Sequence, residues 1–255
     1  MSRSVSTVAS GNHLSLVRAP GGRGTLPRRP PLRRPRVVAL GRVQAPDALP
    51  ARLFLLAYDP ESGRLVGRWT KLGRTLRAAA LVDLQLSGNL ADDNGRARLT
   101  KAADPVDPVL AGVLKDIRRV GPRKWRTWVD RRHGAIVRDV RDELERARLI
   151  KVERYRILGL FPADRITLRH PLVRRHLLRN ATDTLRPARL VTRIDLRDAA
   201  VVVLAATGDL RTVVTKDQRA RHKDRLAQLA VRVGPVVPAL KKALQQAHAS
   251  ASSGG

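Results

Sequence analysis

Arg138 and Arg141 are the two residues whose type and spacing best fit a chemical task. Residues three positions apart lie on one face of a helix, so the two guanidinium groups can converge on one anion. A phosphate monoester offers three acceptor oxygens and close to two negative charges, which two arginine forks on a rigid helix can bind. The alternative is a salt-bridged surface, because three carboxylates stand in the same segment: Asp139, Asp142 and Glu145.

The segment that carries these arginines, AIVRDVRDELERARLI, has the period of an amphipathic helix. Val137, Val140, Leu144 and Ala147 recur at intervals of three and four residues, so we predict that this row faces the core. The arginines flank that row instead of opposing it, which predicts that they lie at the edge of a packed surface.

The sequence lacks the motifs of common enzyme classes. It contains no phosphate-cradling GxxxxGK[ST], no GxGxxG after a strand, no GxSxG and no HExxH. Cysteine is absent, which excludes disulfides and thiolate ligands, and the six histidines lack the spacing of a metal site. We therefore predict that the protein is not an enzyme and that it uses no cofactor and no metal.

The chain carries 51 Lys and Arg residues against 22 Asp and Glu residues, a formal net charge of +29. Such a field attracts nucleic acids, anionic lipids or acidic proteins, so it indicates a class of partner without choosing among them. GC-rich coding sequence is the alternative explanation of the arginine excess. The longest apolar run, Ala199 to Thr207, is too short to cross a bilayer, so we expect any membrane contact to be peripheral.

We predict three regions along the chain. Residues 1–48 form a disordered basic arm, because residues 1–46 hold nine Arg and no acidic residue and include the stretch PRRPPLRRPRVV. Residues 49–249 form a single globular domain. Residues 250–255, which are rich in Ser and Gly, form a disordered tail.

The domain is predicted to be mainly α. Two nearly apolar segments, Lys71–Leu86 and Asp195–Gly208, indicate two buried central helices, which amphipathic helices would surround. Asp83 lies inside the first of them and requires a partner. The segment LFLLAYD is compatible with a strand or with a helix end before a turn.

Two β-hairpins are also predicted. The first turns at Asp93-Asn94-Gly95, a sequence typical of a two-residue hairpin loop. The second joins strands at Ile150–Leu158 and Arg165–Leu168 through a loop at 159–164.

Several segments, taken in order, resemble a known family: LFLLAYDPESGRL, then LRAAALVDLQLSGNL, then VRDVRDELERARLIKVE before a long hairpin and HPLVRRHLL. From roughly Leu53 to Val233 the chain resembles a bacterial-type member of the Golgi phosphoprotein 3 family. The resemblance implies a helical, non-enzymatic domain that binds phosphatidylinositol 4-phosphate. It also implies a cytoplasmic protein, peripheral on the cytoplasmic membrane face, that serves as an adaptor for membrane enzymes.

The same resemblance implies the residues of the site. The family binds the headgroup through a Trp, an Arg in the first buried helix and two Arg spaced by three on a later helix. Trp69, Arg77, Arg138 and Arg141 occupy these positions, although the interval from Trp69 to Arg77 is one residue shorter than in the family. An exposed Trp at this place is suited to the interface between water and lipid.

The hairpin at 150–168 resembles the element through which family members self-associate. Tyr155, Leu160 and Phe161 are its candidate contact residues, and the last two lie in the predicted tip GLFPAD. Exposed strand edges can pair with a second copy, and the tip could equally insert into another partner.

Nucleic-acid binding is the competing hypothesis. A helix followed by a basic hairpin is also the pattern of a winged helix, with RRHGAIVRDVRDELERARLI as its recognition helix. Four acidic residues on that helix argue against contact with a phosphate backbone: Asp139, Asp142, Glu143 and Glu145.

Overall fold

The computed structural model describes residues 44–157 and 161–252, and for residues 156, 157 and 161–163 it describes the backbone alone. The predicted basic arm lies outside these residues up to position 43, and so does Leu160. The described part of the chain is mainly helical with small antiparallel sheets, which confirms the predicted fold class. No helix in that part is long and apolar enough to cross a membrane.

Helices dominate the described residues, and short strands connect them. The α-helices are α1 (Leu49–Ala57), α2 (Trp69–Leu86), α3 (Pro108–Val120), α4 (Trp125–Asp130), α5 (His133–Arg146), α6 (Pro171–Leu185), α7 (Leu196–Thr207), α8 (Lys216–Arg221), α9 (Lys223–Val233) and α10 (Val236–Ser252). The strands are β1 (Tyr58–Asp59), β2 (Arg64–Leu65), β3 (Leu90–Asp93), β4 (Arg96–Leu99), β5 (Arg123–Lys124), β6 (Ile150–Ile157) and β7 (Phe161–Leu168).

Three apolar helices form the centre of the fold. Helices α2 and α7 are the two predicted buried helices, and α2 packs against α1, α4, α5, α7 and α10. Helix α1 is the third, because each of its residues except Arg52 is buried. The segment LFLLAYD is therefore a helix that leads into a short hairpin of β1 and β2.

Asp83 connects these three helices. One oxygen of its buried carboxylate accepts a hydrogen bond from the backbone N–H of Leu49 at 2.8 Å, and the other pairs with Arg197 on α7. Burial raises the pKa of Asp83, while these two donors act in the opposite direction. The partner that the sequence required is thus supplied by α1 and α7 together.

Helices α2 and α5 approach each other closely at Gly73. A Cβ atom at this position would collide with the backbone carbonyl of His133 and would lie 3.3 Å from Cγ2 of Val137. The absence of a side chain at Gly73 therefore sets the separation of the two helices. Along α5 the buried residues are Ile136, Val137, Val140 and Leu144.

The first hairpin has the predicted turn. Strands β3 and β4 pair on either side of Asn94 and Gly95, and both turn residues have positive φ, as this turn requires. Strand β5 pairs with the other edge of β4, which makes a three-stranded sheet that the sequence did not predict.

The second strand of the second hairpin is longer than predicted. Strand β7 begins at Phe161 and not at Arg165, so Phe161 pairs with Ile157 and Asp164 pairs with Arg154. The predicted loop at 159–164 is therefore wrong for residues 161–164, which include Pro162, a residue type that is tolerated in an edge strand. Two other boundaries shift: Ala147 is the exposed C-cap of α5, and residues 250–252 of the predicted tail extend α10.

The close approach of α2 and α5 gives a stability prediction. We expect Gly73→Ala to lower the free energy of unfolding by about 2 kcal/mol or more, because the new methyl group forces two backbones apart. Gly112→Ala on α3 is the matched control, since a Cβ there meets nothing within 4 Å. We expect it to raise stability by about 0.5–1 kcal/mol. Urea denaturation of both variants measures this, and equal effects of the two would refute the close approach.

Candidate anion-binding site

Trp69, Arg138 and Arg141 line one cleft on the protein surface. Its volume is about 520 Å³, and its walls come from the β1–β2 hairpin, the start of α2, the middle of α5 and strand β7. The lining residues are Gly63, Arg64, Leu65, Gly67, Trp69, Leu72, Arg138, Arg141, Asp164 and Ile166. We call this cavity the arginine cleft.

The apolar part of the arginine cleft lies around the start of α2. Trp69 is the first residue of that helix, and 46% of it is exposed, whereas Leu72, one turn later, is buried. Ile166 on β7 is also buried. The cleft thus combines an exposed indole ring with a buried aliphatic lining.

The start of α2 is fixed by ion pairs two residues beyond Trp69. Lys71 Nζ lies 3.2 Å from Asp209, and Arg219 on α8 binds the same carboxylate. Burial by itself would raise the pKa of Asp209, but hydrogen bonds from Arg219 and Lys71 outweigh it and lower the pKa to about 2. This ionised carboxylate anchors the first turn of α2 to the loop after α7.

The two arginines of α5 differ in their partners. Arg138 is exposed and forms no hydrogen bond or ion pair with a described residue. Arg141 has only 12% of its side chain exposed, donates to Asp142 at 2.9 Å and pairs with Asp164 on β7. Of these two arginines, Arg138 thus has no partner among the described residues, whereas the charge of Arg141 is partly neutralised.

Asp164 belongs to a set of contacts that hold the second hairpin against α5. Glu145 accepts a hydrogen bond from the backbone N–H of Val152 at 3.2 Å and lies 3.7 Å from Arg154. Arg154 is the cross-strand neighbour of Asp164. The hairpin is thus tied to α5 by side chains of both signs.

Arg64 is a cleft residue that the sequence analysis missed. It lies on β2, is exposed and forms no ion pair with a described residue. The ESGR turn indicated only a hairpin, and no spacing rule relates Arg64 to α5, which is far along the chain. With Arg64, three arginines and one carboxylate line the arginine cleft.

Arg77 lies apart from the other predicted site residues. Only 3% of it is exposed, its Nε donates to the carbonyl oxygen of Trp128 at 3.2 Å, and its Nη2 lies 3.5 Å from Asp116. Burial lowers the pKa of Arg77 to about 10, and the charge of Asp116 opposes this shift. Arg77 lines a different cavity, between α3 and α5, of about 550 Å³. Its predicted contact with the headgroup stays a prediction.

The predicted self-association residues lie on the second hairpin. Tyr155 on β6 is 44% exposed, and the guanidinium of Arg165 lies 5.9 Å from the centre of its ring. Phe161 is the first residue of β7, with its backbone alone described, and Leu160 lies outside the described residues. β6 and β7 form a two-stranded sheet, so each strand keeps one edge without a strand partner among the described residues.

Metal ligands do not cluster in the described ranges. Residues 44–157 and 161–252 contain no group of three or more His, Asp or Glu side chains placed to hold an ion. The charged groups that line the arginine cleft are three guanidinium groups and one carboxylate, beside the indole ring of Trp69.

Comparison with protein families gives a match over the greater part of the chain. Residues 49–247 match the family described as Golgi phosphoprotein 3 (GPP34). This range includes every described residue of the arginine cleft. No curated protein matches the chain.

The position of Arg77 gives a prediction about its role. We expect Arg77→Met to lower the free energy of unfolding by about 3 kcal/mol, because Asp116 loses a buried partner. The loss stays at the low end of the range for such pairs, since Arg132 remains 3.3 Å from Asp116. Arg118→Met, which removes an exposed partner of Asp104, is the control and should change stability little. Thermal and urea unfolding report both, and an unchanged stability of Arg77→Met would contradict a structural role.

Proposed function

The chain belongs to the Golgi phosphoprotein 3 family, and we propose that its arginine cleft binds the phosphate monoester of a phosphoinositide headgroup. Phosphatidylinositol 4-phosphate carries such a group. The family is of a non-enzymatic, adaptor type. In this proposal the protein docks on the cytoplasmic face of a membrane without crossing it.

The observation that carries the proposal is the exposed Arg138, which has no ion pair with a described carboxylate, beside Arg141 and Arg64 in one cleft. Other arginines near α5 already have carboxylate partners, such as Arg146 with Glu143 and Arg132 with Asp116. A phosphate monoester carries close to two negative charges, so it can bind Arg138 and Arg64 and share Arg141. Helix α5 is held on α2 and on the second hairpin, so little ordering is needed before binding.

Trp69 supplies the contact with the lipid in this proposal. Indole rings favour the interface, where the ring is partly dry and the N–H stays wet. Its exposed ring beside the arginines is placed to enter the headgroup layer while the phosphate occupies the cleft. The buried Leu72 and Ile166 offer it an aliphatic wall.

Membrane docking then combines two weak contributions. Basic side chains near an anionic leaflet contribute about 1 kcal/mol each, and the cleft adds selectivity for the headgroup. Because one reversible site holds a membrane weakly, the proposal needs a further contribution to membrane binding, from the basic arm or from self-association. We propose that the 150–168 hairpin, with Tyr155 exposed, provides self-association and that membrane enzymes are the clients.

The nucleic-acid hypothesis has less support from the position of α5. One face of this helix packs on α2 at Gly73, and the second hairpin is tied to another face through Arg141 and Glu145. A recognition helix needs a free face that enters the major groove. The exposed carboxylate of Asp139 and the half-buried carboxylate of Glu143, which pairs with Arg146, further weaken contact with a phosphate backbone.

Vesicle binding by the whole chain tests the arginine cleft. We expect the protein to bind vesicles containing phosphatidylinositol 4-phosphate more tightly than phosphatidylserine vesicles of equal charge. Arg138→Ala with Arg141→Ala should weaken that preference at least tenfold, because each charged hydrogen bond contributes about 1.5–3 kcal/mol. Vesicle flotation measures both affinities.

The matched control removes the same charge from another helix. Arg175→Ala with Arg179→Ala, on α6, eliminates two exposed arginines that have no carboxylate partner among the described residues. The preference for the phosphoinositide should survive in this variant. If both double variants lose binding equally, the attraction is general and the proposed site is wrong. A salt-dependent DNA complex that the Arg138 and Arg141 changes abolish would favour nucleic acid instead.

For Asp164 we predict the opposite effect, a gain of affinity on removal of its charge. Its carboxylate holds Arg141 in the absence of ligand and competes with an incoming phosphate. We expect Asp164→Asn to raise the affinity for the phosphoinositide vesicles up to about fivefold, the range of a partly exposed ion pair. The control is Asp104→Asn, which removes the same charge from the pair of Asp104 with Arg118, outside the arginine cleft. It should leave the preference for the phosphoinositide unchanged. An equal gain of affinity in both variants would show that it comes from the added net positive charge and not from the release of Arg141.

A further inference from the structure

We propose that a second cavity of this protein binds a phosphate group independently of the arginine cleft. It lies between the end of β5, the start of α4 and helix α10, and its volume is about 530 Å³. Three basic side chains line it: Lys124, Arg126 and Lys242. We call it the α10 groove.

The charge of the α10 groove is of one sign. None of its lining residues is acidic, and its three basic side chains form no hydrogen bond or ion pair with a described residue. The cavity that contains Arg77 differs, because carboxylates such as Asp116 and Asp139 line it beside the arginines. An uncompensated group of cations in a concave surface concentrates positive potential, which attracts anions.

A fourth cation, Arg96 on β4, lies beside the α10 groove but does not line it. It is the cross-strand partner of Lys124 on β5, and both are exposed. On its other side Arg96 lies opposite Asp93 on β3, so the charge of Arg96 has a carboxylate neighbour. Among the acids of β3, Asp92 accepts from Trp125 Nε1 and Asp93 lies 3.8 Å from Arg98. Anion binding therefore depends on the three cations that line the groove.

The walls of the α10 groove are fixed before any ligand binds. Trp125 is buried, and its backbone N–H donates to the carbonyl oxygen of Gly95 at 3.3 Å. Helix α10 packs on α4 and on α2. Basic side chains on such a frame lose less freedom on binding than those on a mobile loop.

The composition of the groove indicates the class of ligand. A cavity of this size exceeds the need of a single phosphate ion and falls in the range of small-molecule sites. Gln245 and Gln246 on α10 offer amide donors and acceptors, and Pro235 and Pro238 offer apolar contact. A phosphate attached to a polyol, free or as a lipid headgroup, can make ionic contacts with the basic side chains, hydrogen bonds with the glutamines and apolar contacts with the prolines.

The experiment uses the full chain with the arginine cleft silenced by Arg138→Ala and Arg141→Ala. Glycerol 3-phosphate is titrated by calorimetry, and binding to phosphatidylcholine vesicles with and without phosphatidic acid is measured by flotation. The groove variant adds Lys124→Gln, Arg126→Gln and Lys242→Gln. The control adds the same loss of charge at exposed cations outside the groove: Lys101→Gln, Arg179→Gln and Lys241→Gln.

We expect saturable binding of at least one probe, with a loss of roughly tenfold or more in the groove variant and less than twofold in the control. A loss with glycerol 3-phosphate indicates a soluble ligand, and a loss with phosphatidic acid vesicles alone indicates a lipid headgroup. Equal losses in the groove and control variants, or no saturable binding of either probe, would overturn the proposal. Lys241 is adjacent to Lys242 on α10 but does not line the groove. Comparing the two substitutions therefore distinguishes loss of the binding site from loss of net charge.

Discussion

The close contact between α2 and α5 at Gly73 is the constraint on which the arginine cleft depends. Trp69 is one turn before Gly73 on α2, and Arg138 is about one turn beyond the contact on α5. Because backbone meets backbone at the crossing, the separation of these residues is set by the helices and not by flexible side chains. A larger residue at Gly73 would therefore change the stability and the width of the cleft together.

The sequence predicted the helices that satisfy a simple period or a simple composition. The apolar segments of α2 and α7 and the row Val137, Val140 and Leu144 are of this kind. Helix α1 was ambiguous because a short apolar run such as LFLLA suits a strand as well as a helix, and only its packing decides. The start of β7 was placed too late, because residues 161–164 lack the alternation of a strand and include Pro162, which an edge strand tolerates.

The residues of the arginine cleft were predictable only in part, because local spacing reports only contacts between residues that are close in sequence. The spacing of Arg138 and Arg141 is local, so the sequence could place them on one face of α5. Arg64 and Asp164 reach the cleft from hairpins distant in sequence, and no local period reports such contacts. Resemblance grouped Arg77 with the others, but its helical position turns it toward Asp116 and the carbonyl of Trp128.

The distribution of carboxylates, more than the number of arginines, determines where this basic chain can bind an anion. Pairs such as Arg74 with Asp130 and Arg141 with Asp164 reduce the local charge, so a phosphate must compete with a carboxylate already present. Among the residues that the structure describes, Arg138 and the cations of the α10 groove lack such pairs, so an anion there would meet positive charge without first displacing a partner. In the proposed site, Arg141 is the lining arginine whose guanidinium already binds carboxylates, Asp142 and Asp164, so a phosphate has to compete with a carboxylate at that position.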